Sequence, residues 1–87
     1  MPYINPRARE LLNDGNKALT AGEINYQISK LLNDYFAMRG FSYDVLNGAI
    51  GALECAKLEC YRRLAAPYED KKIGENGDVY VFQKTEA

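Results

Sequence analysis

The sequence has no histidine and only two cysteines, and these scarcities exclude several kinds of site. An activated serine or cysteine nucleophile needs a nearby base, most often histidine, so nucleophilic catalysis is poorly supported. Cys55 and Cys60 lie in one helical pattern, which separates their side chains by about 140° and their Cα atoms by about 8 to 9 Å, beyond disulfide reach. No second group of Cys or His completes a zinc site. We therefore expect reduced thiols, no metal, no cofactor and no enzymatic activity.

An excess of positive charge and long apolar runs are also missing. Eleven basic residues face twelve acidic ones, and the net charge is -1. Duplex nucleic acid is therefore not an expected partner. No apolar run approaches the roughly 20 residues of a membrane span, and the N-terminal residues lack the apolar stretch of a signal peptide. With the reduced thiols, this predicts a soluble cytoplasmic protein without a membrane partner.

The length of 87 residues allows one domain, whose single core is marginal in size. Small domains without disulfides or metals usually gain stability by oligomerisation, so we expect a homo-oligomer. The predicted domain, 1–87, comprises a short N-terminal helix with a linker (1–22), a helical hairpin (23–66) and a C-terminal tail (67–87).

Hydrophobic periodicity predicts the helices. Asn5 and Pro6 suit the cap and first position of a short helix. A longer amphipathic helix is predicted from Glu23 to Arg39, with Gly40 as its stop and Phe41 in the hydrophobic contact that accompanies such a cap. Its apolar arc consists of Ile24, Ile28, Leu31, Leu32, Tyr35 and Met38.

A third helix is predicted to begin after Ser42, a good N-cap, and to run to about Ala65, because Pro67 disfavours continuation. Its broad apolar stripe is expected to pack on the second helix. The stripe consists of Val45, Leu46, Ala49, Ile50, Leu53, Ala56, Cys60 and Leu64.

A second line on this helix is made of small residues. Glycine inside a helix costs about 1 kcal/mol relative to alanine, and close approach of another helix would offset that cost. We predict this line as the oligomer interface. It consists of Gly48, Gly51, Ala52 and Cys55.

Beyond Pro67 the chain alternates charge without periodicity, and Asn76-Gly77 is then a strong hairpin signal between Ile73 and residues 79–82. We expect a short β-hairpin there, or an extended tail that lies against a neighbouring subunit. The predicted fold class is thus mainly α: a small helical bundle or helical hairpin with this C-terminal β-hairpin or tail, in an oligomer.

Lys57 falls inside the apolar stripe of the third helix, on the same side as Glu54 and Tyr61. A lysine there must extend to solvent, pair with a carboxylate, or hold an anion. Two interpretations stay open. Either Glu54 and Lys57 form a salt bridge beside Tyr61, or Lys57 meets a phosphate or carboxylate while Tyr61 stacks on a ring.

Further polar and aromatic residues follow within the next two dozen positions. Arginine suits phosphate, tyrosine a base, and amide or carboxylate groups polar edges. The two arginines can equally pair with Glu59, Glu69 or Asp70. The candidate ligand-binding set is Glu54, Lys57, Tyr61, Arg62, Arg63, Tyr68, Asn76, Asp78 and Tyr80, with no catalytic residue.

Three stretches resemble a family of small proteins of unknown function that is common in tailed-phage genomes. These are EINY with KLL (23–32), GALECAKLECYRR (51–63) and PYEDKKIGENGDVY (67–80). The resemblance covers about residues 20–80. It implies a bacteriophage accessory protein in the cytoplasm of the bacterial host, without an established catalytic activity.

In size and architecture the chain is also similar to phage anti-defence sponges that oligomerise and trap immune nucleotides, an analogy of style rather than motif. The first hypothesis is therefore a non-enzymatic oligomer that sequesters a cyclic dinucleotide or cyclic ADP-ribose derivative. The alternative is a protein–protein interaction module that binds a host or virion protein without a small ligand. A hydrolase with Glu54 or Asp78 as general base is the least supported.

Overall fold

The computed structural model describes residues 1–82, which are mainly helical and contain no β-strand. The chain divides into two compact units, Met1–Ala49 and Ile50–Ala87. The mainly helical class predicted from the sequence is confirmed.

The first unit begins with α1, Pro6–Asn13. The Asn5 side chain accepts a hydrogen bond from the Ala8 backbone N–H at 2.9 Å, so the predicted cap is present. Helix α1 packs against α2, Ala21–Arg39, and buries Leu12.

Helix α2 begins slightly earlier than predicted. Thr20 caps it by accepting from the Glu23 N–H at 3.1 Å. At the other end, Gly40 has a positive φ of 82° and its N–H donates to the Phe36 carbonyl. The rings of Phe36 and Phe41 then meet edge to face at 5.5 Å, which is the predicted contact across the helix end.

Helix α3, Tyr43–Cys60, begins at the predicted cap, because the Ser42 hydroxyl accepts from the Val45 N–H at 3.2 Å. In the first unit, Ala49 is buried, and Val45 and Leu46 are half-buried. In the part of the chain that the structure describes, the Cα atoms in the first turns of α3 stay more than 8 Å from those of α2. The packing of the apolar stripe on the second helix stays a prediction.

Pro67 does not end the helical segment, and this corrects the prediction. A π-helical turn, Tyr61–Ala65, follows α3 and leads directly into α4, Ala66–Asn76, with Pro67 in the first turn of α4. A proline lacks the N–H that would bond to the carbonyl four residues earlier, here that of Arg63, and its ring crowds that carbonyl. The wider turn lies at this point and lets the helix continue.

The predicted β-hairpin is not observed within the described residues. Ile73 lies inside α4, and the N–H of Gly77 donates to the Ile73 carbonyl at 2.8 Å. Gly77 has a φ of 90°, so the Asn76-Gly77 pair ends a helix rather than joining two strands. Residues 79–82 form no strand, and the last five residues of the predicted tail lie outside the described residues.

Candidate functional site

The helix of the second unit has an exposed apolar surface. From Ile50 to Phe82 no described residue is buried, and only Ala65 and Ala66 are half-buried. Packing of an amphipathic face supplies most of a helix's stability in proteins, and this helix obtains none of it within its own unit. The exposed large side chains on its helical part are Ile50, Leu53, Leu58, Tyr61, Leu64, Tyr68 and Ile73.

Part of this surface has the spacing of a coiled-coil seam. Ile50, Leu53, Lys57, Cys60 and Leu64 follow one another at alternating intervals of three and four residues. This is the a and d pattern of heptads, in which one side of a helix faces a second helix along its length. We call these five residues the seam. The sequence-based stripe included four of them, and Lys57 was predicted to fall inside that stripe.

Lys57 and Glu54 form an ion pair, with Lys57 Nζ 3.1 Å from Glu54 Oε1. Both side chains are more than half exposed. Glu54 occupies the position beside the seam that coiled coils label e, where charged residues select the partner. The first of the two interpretations drawn from the sequence, a salt bridge between Glu54 and Lys57, is present in the single chain. Because the pair is exposed, the carboxylate and the ammonium group stay accessible to a further partner.

Tyr61 occupies the next e position and lies near Glu69, across the π-helical turn. The Glu69 carboxylate can accept a hydrogen bond from the neutral phenol and carries a negative charge, and both effects raise the pKa of Tyr61 above its ordinary value. The raised pKa favours the neutral form of the phenol.

Arg62 and Arg63 are occupied by a carboxylate of their own helix. Glu59 Oε1 lies 2.7 Å from Arg62 Nη2 and 3.8 Å from Arg63 Nη1. Helical rotation places the two arginines about 140° and 120° around the axis from Lys57. The three cations therefore do not converge on one anion within a single chain.

The remaining predicted ligand-binding residues lie at the end of α4 and just beyond. Lys72 Nζ is 5.6 Å from the Tyr68 ring centre. Asn76, Asp78 and Tyr80 line an open groove of about 350 Å³, which Glu69 and Lys72 also border. Within it, the Tyr80 N–H donates to Asp78 Oδ1 at 2.9 Å.

The structure thus divides the predicted set into two groups along one helix. Lys57 and Asn76 are separated by nineteen residues of helix, a distance of about 28 Å at 1.5 Å per residue. A small ligand held by Lys57 in one chain cannot reach the groove at the end of α4. A shared pocket would need residues from another copy.

The predicted small-residue line is exposed throughout. Gly48, Gly51, Ala52 and Cys55 are all solvent-accessible, and a Cβ atom added at Gly48 or Gly51 would meet nothing within 4 Å. It lies on the opposite side of the helix from the seam. Its role as an interface stays a prediction.

The first unit has one further polar cluster, around Tyr26. The Tyr26 hydroxyl donates to Asn13 Oδ1 at 3.1 Å, and the Arg9 guanidinium lies 5.6 Å from its ring centre. Lys30 Nζ donates to Asp34 Oδ1 at 2.7 Å, and this hydrogen bond raises the pKa of Lys30 and lowers that of Asp34. Four of these residues line an adjoining groove of about 520 Å³ that is open to solvent, in which Tyr26 pairs with Asn13 and Lys30 pairs with Asp34.

Among residues 1–82, no group of three His, Cys, Asp or Glu side chains is placed to hold a metal ion. No described helix is long and apolar enough to cross a membrane. Cys55 and Cys60 are free and exposed thiols.

A family model matches most of the chain. Residues 1–79 match the profile of a family described as Domain of unknown function (DUF6899). No curated protein and no solved structure matches the chain. The match spans residues of both units and confirms the expectation of an uncharacterised domain family.

Proposed function

The chain belongs to the family described as Domain of unknown function (DUF6899), and we propose that it is a non-enzymatic protein-interaction module. The helix of its second unit binds another helix through the seam of Ile50, Leu53, Lys57, Cys60 and Leu64. The observation that carries this proposal is that the seam is exposed along its length, with Ile50 at 56 %, Leu64 at 69 % and Leu53 at 38 % exposure.

Energetics support this proposal. Full burial of a leucine or isoleucine side chain contributes about 1.5 to 3 kcal/mol. Most of the stability of a helix in a protein comes from packing of its amphipathic face rather than from helix propensity. A partner helix along the seam would supply the missing burial for both helices at once.

The shape of the surface also favours a macromolecular partner over a small molecule. Ligand pockets enclose most of their ligand, whereas the seam is a row along the outside of one helix. Amphipathic helices bind partners through anchors at intervals of three and four residues, which is the spacing present here.

Substitution of one seam leucine tests the proposal. Leu53→Lys places a second ammonium group in the seam, whereas Leu58→Lys places the same group on the outer side of the same helix and serves as the matched control. We expect the natural chain and the Leu58 variant to assemble, with the Leu53 variant weakened about 100-fold because a second positive charge then lies beside Lys57 in the interface. Light scattering across a concentration series measures this. Equal behaviour of all three proteins would refute the proposal.

Nucleotide sequestration is retained as a second proposal. The observation in its favour is that Asn76, Asp78 and Tyr80 line one groove. Calorimetric titration of the natural chain with cyclic dinucleotides and cyclic ADP-ribose derivatives tests it, and absence of heat with all of them removes it. The tailed-phage origin and the cytoplasm of a bacterial host also belong to this proposed setting, and they rest on the resemblance of the three sequence stretches.

A further inference from the structure

We infer that the helix bound by the seam is the same helix of a second copy, running antiparallel, with the two-fold axis between Leu53 and Lys57. This inference rests on the proposed function, because it names the partner of the same surface. It is drawn from the order of side-chain sizes and charges along the seam.

Four of the five seam residues match one another when the seam is reversed. With the axis between Leu53 and Lys57, each Ile50 lies opposite Cys60 of the second copy, and each Leu53 lies opposite its Lys57. In antiparallel coiled coils an a residue faces a d residue, and both pairs obey that rule. A large side chain meets a smaller one in the first pair. In the second, the Lys57 methylenes cover leucine while the ammonium reaches the rim.

Charge complementarity favours this register. In it, Glu54 of the second copy lies on the same side of the interface as Lys57 and at nearly the same height. Glu54 and Lys57 already lie 3.1 Å apart within one chain, so their charged groups share one region of the surface. Two-fold symmetry then forms a ring of two lysines and two glutamates at the centre of the interface, in which every charge has a partner of opposite sign.

The parallel arrangement lacks this balance. In a parallel, in-register pair, Lys57 lies opposite Lys57 of the second copy in the core of the interface. Like charges placed together in an interface disfavour that arrangement and so select the alternative. The parallel pair would also bring the two Cys60 thiols together at one d layer.

Mixing of charge variants tests whether the Glu54–Lys57 contact acts between chains. Lys57→Glu leaves two glutamates in each chain, and Glu54→Lys leaves two lysines. We expect each variant alone to dimerise at least about tenfold more weakly, because the central ring is then of one sign. An equimolar mixture restores assembly as a heterodimer, measured by native mass spectrometry. Within each variant chain, residues 54 and 57 still carry like charges in the mixture. Recovery of assembly can therefore come only from opposite charges on different chains, and failure of the mixture to recover would overturn the inference.

Cysteine cross-linking tests the direction and register. Cys55→Ala leaves Cys60 as the only thiol, and Ile50→Cys in that background adds its proposed neighbour. Under mild oxidation we expect a covalent dimer from the chain with cysteines at 50 and 60, and none from the chain with Cys60 alone. A Cys60–Cys60 dimer would indicate a parallel pair and overturn the inference.

The two tests separate this inference from the proposed function. If Leu53→Lys weakens assembly but neither cysteine protein cross-links, the seam is an interface and only the antiparallel register is wrong. If assembly does not depend on Leu53, both proposals fail.

Discussion

Lys57 shows how one residue can look misplaced in a single chain and acquire a role in an assembly. Its pair with Glu54 is exposed, and exposed pairs contribute about 0 to 1 kcal/mol, so the pair alone does not explain a lysine in an apolar row. A polar residue at one a position of a coiled coil lowers stability but selects register and orientation. The proposed dimer assigns that role to Lys57.

Replacement of Lys57 by methionine is therefore expected to strengthen assembly and to reduce the preference for the antiparallel over the parallel arrangement. Methionine keeps the length of the stem and removes the charge that disfavours the parallel pair. In the Cys55→Ala background, we predict that Lys57→Met allows oxidation to form Cys60–Cys60 dimers, detected on non-reducing gels. The same background with Lys57 intact is the control. Cross-linking that is identical in both proteins would contradict the prediction.

Tyr61 offers a second prediction at this scale. Its folded pKa is raised above 10.0 by Glu69, so the contribution of this contact to stability is present below pH 10 and is lost as pH rises through the folded pKa. We expect Glu69→Gln to move the pKa of Tyr61 back towards its ordinary value. Titration of the Tyr61 ring carbon by NMR measures this. An unchanged pKa would mean that Glu69 does not contact the phenol in solution.

At the scale of elements, the helical segment from α3 through the π-helical turn to α4 has two contrasting sides. The seam is apolar and exposed, whereas the opposite side carries the small-residue line of Gly48, Gly51, Ala52 and Cys55. Both sides are candidates for contact with another helix, but only the seam has the alternating spacing that a long helix partner requires.

Gly51→Leu distinguishes the two sides. Because a Cβ at Gly51 meets nothing within 4 Å and leucine is the better helix former, we predict that the variant assembles as the natural chain does, with helix stability raised by up to about 1 kcal/mol. Sedimentation and thermal melting followed by circular dichroism measure the two effects. Loss of assembly would instead support the small-residue line as the interface.

At the scale of the whole molecule, the described residues contain few buried side chains. Leu12 and Ala49 are the buried hydrophobic residues among residues 1–82, and both belong to the first unit. Apolar burial is the main favourable term in folding, and the proposed dimer would add to the little that the single chain has. If that dimer forms, stability and assembly are one equilibrium.

Thermal stability should consequently depend on protein concentration. For a dimer that dissociates as it unfolds, a tenfold increase in concentration stabilises the folded state by about 1.4 kcal/mol. We predict a rise of several degrees in melting temperature between micromolar and hundred-micromolar samples. The Leu53→Lys chain, whose assembly is weakened, provides the comparison, and its melting temperature should be lower than that of the natural chain at each concentration. A constant melting temperature for the natural chain would contradict the dimer.

The local sequence determined where the helices begin and how α2 ends. Asn5 and Ser42 cap helices as predicted, and Gly40 ends α2, because capping depends on hydrogen bonds within one turn of the chain. The spacing that defines the seam was also readable, since it is a property of the order of residues alone. The same holds for the ion pair between Glu54 and Lys57, which three residues of helix bring together.

Only the tertiary structure decided the features that depend on more than one helical turn: how far a helix continues, how it ends and which of its surfaces are buried. It carries the helix through Pro67 on a wider turn, makes Asn76-Gly77 a helix end instead of a hairpin, and leaves the apolar seam exposed. In each case the local sequence is compatible with two structures. A proline can end a helix or lie in its first turn, and a glycine with positive φ can form part of a hairpin or end a helix. Burial in particular depends on which surfaces meet, and an apolar stripe specifies that it needs a partner without specifying which one.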